Sequence, residues 1–150
     1  MKISWTALPF EKLSGRAVHD MLQLRVDTFV VEQRCIYPEL DGRDPDAQHI
    51  LGRAEHGELV AYARLLPATA DSLARIGRVV VRLQERGNGV AHQLVQRALE
   101  HLLETTGTRR SRLASQAHLE GFYDRHGFER IGPDYDWDGI PHVDMERKTD

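Results

Sequence analysis

The chain has almost no cysteine and no long hydrophobic run. Cys35 is the only cysteine among 150 residues, so an internal disulfide is excluded, as is usual in a reducing compartment. No apolar run approaches the roughly 18 residues of a membrane span, and the N-terminal residues MKISWTALPF lack the apolar core of a signal peptide. We therefore expect a cytoplasmic protein that has no membrane partner.

The chain also has no strong net charge and no pair of histidines at the spacing typical of metal ligands. The formal net charge is -3, which gives no basic footprint for nucleic acid, so no nucleic-acid partner is expected. The 8 histidines include no pair with convincing ligand spacing, so we predict no metal site. The hydrophobic fraction of 41% and the length of 150 residues fit one domain, residues 1–150, with a real core.

The segment 79–103 changes its hydrophobic period at a glycine turn. Residues 79–81 form a β-branched apolar run typical of a buried strand, whereas residues 90–103 repeat apolar side chains at helical spacing. Gly87 and Gly89 allow positive φ angles and a close approach of the backbone to a ligand. The start of the following helix suits a phosphate or pyrophosphate. A helix entry without a ligand stays open as the alternative.

Two motifs in and after this segment resemble those of one family. Arg86-Gly87-Asn88-Gly89-Val90-Ala91 resembles the R-x-x-G-x-G/A signature of the GNAT superfamily, the acyl-CoA-dependent N-acetyltransferases. Residues 116–128 resemble the later block of that family, which ends in F-Y-x-x-x-G-F. The segments LQLR, FVVEQ, YPELDG, HILG, IGRV, QAHL and DGIPH add a narrower resemblance to its ElaA group, over nearly the whole chain.

The resemblance implies acetyl-CoA as co-substrate. In the family, two central strands splay apart, pantetheine pairs with the backbone of the first strand, and the glycine turn cradles the pyrophosphate. Gln116 departs from the asparagine of many relatives, and Leu119 from their alanine. The cofactor-binding residues implied are Val79, Val80, Val81, Arg86, Gly87, Asn88, Gly89, Val90, Ala91 and Gln116.

The resemblance also assigns a general acid. Acetyl transfer to an amine requires a neutral amine, a stabilised oxyanion and a protonated leaving thiolate. Tyr123 matches the position of the family's acid, and a phenol can protonate a thiolate of pKa about 8.5. From the residues alone, packing of Tyr123 against Phe122 and Phe128 is the competing interpretation. The oxyanion is expected to meet a backbone N–H group, with Val81 as first candidate.

The base and the acceptor pocket are less narrowly defined. His118 leads as base because it lies beside the expected thioester, while Glu32, His49, His142 or a water chain stay open. Most carboxylates of the acidic segment 39–46 are expected in solvated turns and caps, although a subset lining a cleft would attract a cationic substrate. The substrate-binding candidates are Glu32, Gln33, Asp41, His49 and His142.

The order of elements predicts an α/β fold. Strands are expected at residues 2–7, 49–55, 59–66, 75–81, 112–115, 128–131 and 143–147. Helices are expected after Ser14 to about residue 31, from residue 90, and over residues 117–126. This order indicates a mixed, mostly antiparallel sheet between helices. The resemblance implies the same arrangement, a GNAT-like α/β/α sandwich splayed at the acyl-CoA site.

The leading functional interpretation is therefore an enzyme that transfers an acetyl or other acyl group from acetyl-CoA to a primary amine of a small molecule or peptide. The alternative is a regulatory module that binds acyl-CoA without turnover. Edge strands of such a sheet allow pairing, so a homodimer is also open.

Overall fold

The computed structural model describes residues 2–150, in which an eight-stranded sheet separates two helical layers. The strands are β1 (Ser4–Pro9), β2 (Gln48–Arg53), β3 (Leu59–Leu66), β4 (Ala74–Val81), β5 (Ser111–Gln116), β6 (Phe128–Arg130), β7 (Tyr135–Trp137) and β8 (Ile140–Arg147). The helices are α1 (Gly15–Val26), α2 (Val90–Thr106) and α3 (Glu120–Asp124), and a π-helical turn, Asp27–Glu32, continues α1. Within residues 2–150, no helix is both long enough and apolar enough to cross a bilayer.

The strand order is β1-β2-β3-β4-β5-β8-β6, with β7 added on β8. The β4–β5 contact is parallel, and the other strand pairings described are antiparallel. β4 and β5 pair only at Ala74–Ser111 and Arg75–Arg112, and beyond these residues the two strands separate. The predicted mixed sheet with splayed central strands is confirmed.

Both faces of the central strands are covered. α2 packs on one face through Leu94, Val95 and Leu99, and α1 packs on the other through Met21 and Leu24. All eight residues of β3 are buried as a result, which explains why its sequence does not alternate between apolar and polar residues.

The predicted ends of the elements agree with the structure to within a few residues. The Ser14 hydroxyl accepts a hydrogen bond of 3.0 Å from the Ala17 backbone N–H, so it caps α1 as expected. Gly107 ends α2 at φ +85°. β7 was not predicted, because its three exposed residues carry no apolar pattern. A turn with Gly139 at φ +82° folds this strand back onto β8.

Candidate functional site

The separation of β4 and β5 opens a cleft of about 590 Å³. Its walls come from the two strands, from α3, from the β7–β8 hairpin and from the loop after α1. Its lining includes Ile76, Gly77, Arg78 and Val79 on β4, Leu113, Ala114, Ser115 and Gln116 on β5, and Tyr123, Trp137 and His142 opposite. Gln33, Cys35 and Asp41 line it from the loop. The fold thus places four of the candidate site residues, Gln33, Asp41, Gln116 and His142, around one space.

A bulge in β4 directs its backbone toward the cleft. Arg78 has a φ of +50°, and the register between β3 and β4 shifts there by one residue. The Arg82 N–H group donates to Val60 O on β3 at 2.7 Å. Since backbone groups alternate in direction along a strand, Val79 and Val81 present theirs to the open side. An extended chain could therefore pair with β4 along the cleft, whereas Val80 faces β3.

The glycine turn before α2 has the features of an anion site. Gly87 and Gly89 have φ angles of +87° and +78°, which favour glycine. The backbone N–H groups of Gly87, Asn88 and Gly89 make no hydrogen bond with any residue the structure describes. They precede the 17-residue helix α2, whose positive dipole end starts at Val90 and Ala91. Together these donors suit a phosphate group.

Arg86 connects this turn to the end of the π-helical segment. Its Nε donates to Val81 O at 2.8 Å, while Nη1 and Nη2 donate to the Glu32 carboxylate at 2.7 and 3.0 Å. The hydrogen bonds from Arg86 lower the pKa of Glu32. Glu32, a candidate substrate-binding residue, lies outside the cleft lining, and the cation that it contacts is Arg86.

Tyr123 lies on the cleft wall with its ring packed and its hydroxyl free. The side chain is 7% exposed and meets the rings of Phe122 and Phe128 edge-on, at centroid distances of 4.9 and 6.2 Å. No hydrogen bond joins its hydroxyl to the described residues, and burial raises the pKa of the phenol. Tyr123 therefore keeps its proton near neutral pH. The packing role and the role of an acid are compatible in this geometry.

His118 lies outside the described cleft lining. It belongs to the 3-10 turn Ala117–Leu119 between β5 and α3, and its side chain is exposed. The structure thus does not bring this predicted base to the cleft wall.

The acidic loop after α1 is anchored in the protein interior by Arg25. Arg25 is 0% exposed; its Nε donates to Glu39 Oε2 at 2.6 Å and its Nη1 to Asp44 Oδ1 at 2.8 Å. Glu39 and Asp44 are buried as well. The expectation of solvated turn carboxylates is wrong for these two residues, because each one neutralises a buried guanidinium.

Two further arginines complete this cluster, which we call the Arg–acid network: Arg25, Arg64, Arg78, Glu39, Asp41 and Asp44. Arg64 donates to both carboxylate oxygens of Asp41, at 2.9 and 2.8 Å, and to Asp44 at 3.1 Å. Arg78 Nε donates to Glu39 Oε2 at 2.7 Å. The hydrogen bonds from Arg64 hold the pKa of Asp41 well below its usual range. Asp41 lines the cleft, but its carboxylate is already paired with Arg64.

His49 belongs to the core rather than to the acceptor pocket. It is fully buried, with Nε2 at 2.9 Å from Asp44 O and Nδ1 at 2.6 Å from the Tyr62 hydroxyl. Because a carbonyl oxygen only accepts, Nε2 carries the proton and Nδ1 accepts from Tyr62. Burial lowers the pKa of this imidazole. His49, a candidate base and substrate-binding residue, therefore does not line the cleft, since both of its ring nitrogens are occupied in the core.

The buried neutral His49 leads to a prediction about pH. The unfolded chain takes up the proton as pH falls through about 6.5, while the folded chain resists it, so stability present above that pH is lost below it. We expect about 1 kcal/mol less unfolding free energy at pH 5.5 than at pH 7.5 from this residue. Urea unfolding of the wild type and of His49→Gln at both pH values measures the difference.

Only the difference between the two proteins isolates His49, because burial also lowers the pKa of His126. Equal pH dependence in wild type and variant would contradict the assignment.

Arginines and an aromatic side chain in the cleft were missed from the sequence. Arg64 and Arg75 lie on β3 and β4, and Trp137 packs at 5.2 Å from the His142 ring. His142 Nδ1 in turn donates to Ile140 O at 2.8 Å. One signal was visible: Arg64 interrupts the apolar strand LVAYARLL, where an unpaired charge would be costly.

Comparisons with known proteins agree with this geometry. Residues 17–149 match the family described as the acetyltransferase (GNAT) domain. Protein ElaA of Escherichia coli is 42% identical over 150 residues, covering 98% of this chain and 97% of ElaA. The crystal structure of E. coli ElaA superimposes with a TM-score of 0.92 at 41% identity, covering 98% of this chain and 100% of that one. An acyl-CoA N-acyltransferase from Pseudomonas aeruginosa gives a TM-score of 0.92 at 38% identity, with coverages of 97% and 99%.

Proposed function

The chain belongs to the GNAT acetyltransferase family, as its motifs predicted, and from that premise we propose that residues 1–150 act as one domain that transfers an acetyl group from acetyl-CoA to a primary amine. Family membership itself supports transfer of an acyl group from acyl-CoA. The observation that carries the proposal is the parting of β4 and β5 into a cleft lined by Tyr123, with the glycine turn tied to the end of β4 by the hydrogen bond from Arg86 to Val81 O.

The donor is held mainly by backbone groups in this proposal. Pantetheine pairs with the backbone of Val79 and with the Val81 N–H group, because Val81 O already accepts from Arg86, and the pyrophosphate lies on the free N–H groups of the glycine turn. Arg86 fixes that turn through Val81 and Glu32. The first turn of α2, at Val90 and Ala91, adds its dipole. Gln116 contacts the thioester end from β5.

The reaction is a direct attack of the amine nitrogen on the thioester carbonyl. The new C–N bond places negative charge on the carbonyl oxygen, which the Val79 N–H group stabilises. We assign Val79 rather than the expected Val81 because Val79 is among the residues that line the cleft and Val81 is not. The C–S bond then breaks, and Tyr123 donates its proton to the thiolate. His142 or water accepts the proton lost by the amine, and exchange with solvent restores Tyr123.

A thermal-shift titration tests the donor. A ligand at one hundred times its Kd stabilises the folded state by about 2.7 kcal/mol, which raises Tm by roughly 5–10 °C in a chain of this size. We expect this rise with acetyl-CoA and with CoA, and none with ATP, because ATP has no pantetheine arm for β4.

Two glycine variants provide a matched comparison. Gly89 and Gly57 both have positive φ angles, +78° and +93°, and both have open space around an added Cβ, so alanine strains the backbone similarly at each. Gly89→Ala should weaken acetyl-CoA binding at least tenfold more than Gly57→Ala, because only Gly89 belongs to the phosphate turn. Absence of stabilisation by either CoA species in the wild type would refute the proposed donor.

A further inference from the structure

The acceptor side of the cleft carries more positive than negative side chains. Its lining holds the arginines Arg43, Arg64, Arg75 and Arg78 and the aspartates Asp41 and Asp138. Two of these arginines are neutralised in the Arg–acid network. Within residues 2–150, no carboxylate lies within 4 Å of the guanidinium groups of the other two, Arg43 and Arg75.

The acidic side chains of the cleft do not reverse this balance. Both oxygens of Asp41 accept hydrogen bonds from Arg64, so Asp41 is not free to bind the ammonium group of a substrate. Asp138 is exposed at the β7–β8 turn. The cleft therefore has an excess of unpaired positive charge, which favours an anionic group on the substrate. The acidic loop had suggested the opposite, a cleft that attracts a cationic substrate.

Arg75 is the better placed of the two unpaired arginines. It is half-buried on β4, at the point where β4 and β5 begin to separate. Its register partner Arg112 is paired with Glu146 at 2.7 Å, whereas Arg75 has no such partner. The nearby Asp144 accepts a hydrogen bond of 2.6 Å from Tyr135.

The distance along β4 suits a small substrate. Arg75 precedes Val79 by four residues, which is at most roughly 13 Å of extended strand, and both residues line the same cleft. A small acceptor that binds the guanidinium through an anionic group and extends along β4 therefore carries its amine toward a thioester carbonyl at Val79. Trp137, 47% exposed, adds a flat apolar surface to the same cleft.

We propose that the acceptor is a small amine that also carries a carboxylate, as an amino acid does, and that Arg75 binds this carboxylate. The inference rests on the proposed acetyl transfer and names the class of its acceptor. A guanidinium recognises a carboxylate through two parallel N–H···O bonds, and half-burial strengthens the pair relative to one in open water. Arg43, at the rim, adds attraction for the anion but is too exposed to fix it.

The test compares amino acids with their decarboxylated amines. Thiol release from saturating acetyl-CoA is measured with phenylalanine and phenethylamine, tryptophan and tryptamine, and lysine and 1,5-diaminopentane. Because a carboxylate also changes the basicity of the amine itself, the deciding comparison is between the wild type and its variants for the same compound. Arg75→Gln should lower kcat/KM for the amino acids at least tenfold, through KM, and should leave the decarboxylated amines within about twofold. Arg97→Gln, an exposed arginine on α2, should change neither.

Each result has a defined meaning. An equal loss for both members of a pair would show that Arg75 has only a structural role and would overturn the inference, as would an unchanged amino-acid KM. If acetyl-CoA stabilises the protein but no compound is acetylated, each compound is added to the protein–CoA complex and the thermal shift is measured. Stabilisation by the amino acids alone that is lost in Arg75→Gln supports the inference. If no amino acid stabilises the complex, the inference is overturned. Failure of acetyl-CoA to stabilise the protein refutes the proposed function itself.

Discussion

Replacement of Arg25 by methionine is expected to lower the free energy of unfolding by about 3–5 kcal/mol. The guanidinium is 0% exposed and neutralises Glu39 and Asp44, both of them buried. Methionine fills much of the same volume but leaves these two carboxylates without their shared partner in the interior. Urea unfolding measures the loss, and an unchanged m-value would show that the variant unfolds from the same folded state.

Arg130 provides the matched control. It also contacts two carboxylates, Glu120 at 2.7 Å and Asp134 at 2.6 Å, but its side chain is 37% exposed. Water can hydrate the carboxylates that Arg130→Met leaves behind, so we expect a much smaller loss than for Arg25→Met. Similar losses in the two variants would mean that burial of the Arg–acid network does not determine its contribution.

Local patterns were sufficient to predict the strand, the glycine turn and the helix at the end of β4. Residues 79–103 change from a β-branched run to helical spacing across a turn with two glycines, and each of these signals lies within about one turn or strand. The positive φ angles of Gly87 and Gly89 follow from the same signals. The prediction that β4 and β5 separate had a different basis, because it rested on the family resemblance and not on any residue pattern.

The Arg–acid network could not be predicted in the same way. Its partners are 14 to 39 residues apart in the chain, and the segment 39–46 has the composition of a solvated loop. The only sequence signal for a buried ionic cluster was the position of two arginines within or beside apolar segments. Arg25 lies at the boundary of an apolar helical stripe and Arg64 within an apolar strand, and both would need a partner there. In the Arg–acid network the charges of three arginines and three carboxylates balance.

The positions of His49 and His118 outside the cleft lining have a common physical origin. His118 lies just after β5, which lines the cleft, and His49 lies on β2, which β3 separates from β4; the sequence predicted both segments. Whether a side chain enters the cleft depends on its direction, which neighbours in space decide. For His49 those neighbours are Tyr62 and the Asp44 carbonyl, which hold the ring in the core.

Replacement of Tyr123 by phenylalanine is expected to lower kcat by about 10²–10⁴ while leaving the structure intact. The hydroxyl forms no hydrogen bond with the described residues, and the ring would keep its edge-on contacts with Phe122 and Phe128. Unfolding free energy and the thermal shift with acetyl-CoA should therefore stay near wild-type values. Steady-state thiol release with an amine that the wild type accepts gives kcat.

Tyr62→Phe should give the opposite pattern and serves as the control. It removes a buried hydroxyl that donates to His49 at 2.6 Å, so stability should fall by about 1 kcal/mol while turnover persists. If Tyr123→Phe retains wild-type turnover, Tyr123 is not the acid, and water or another group must protonate the thiolate. If the wild type binds acetyl-CoA but acetylates no amine in a broad screen, the non-catalytic acyl-CoA module becomes the better interpretation, because the cleft would then bind the donor without turnover.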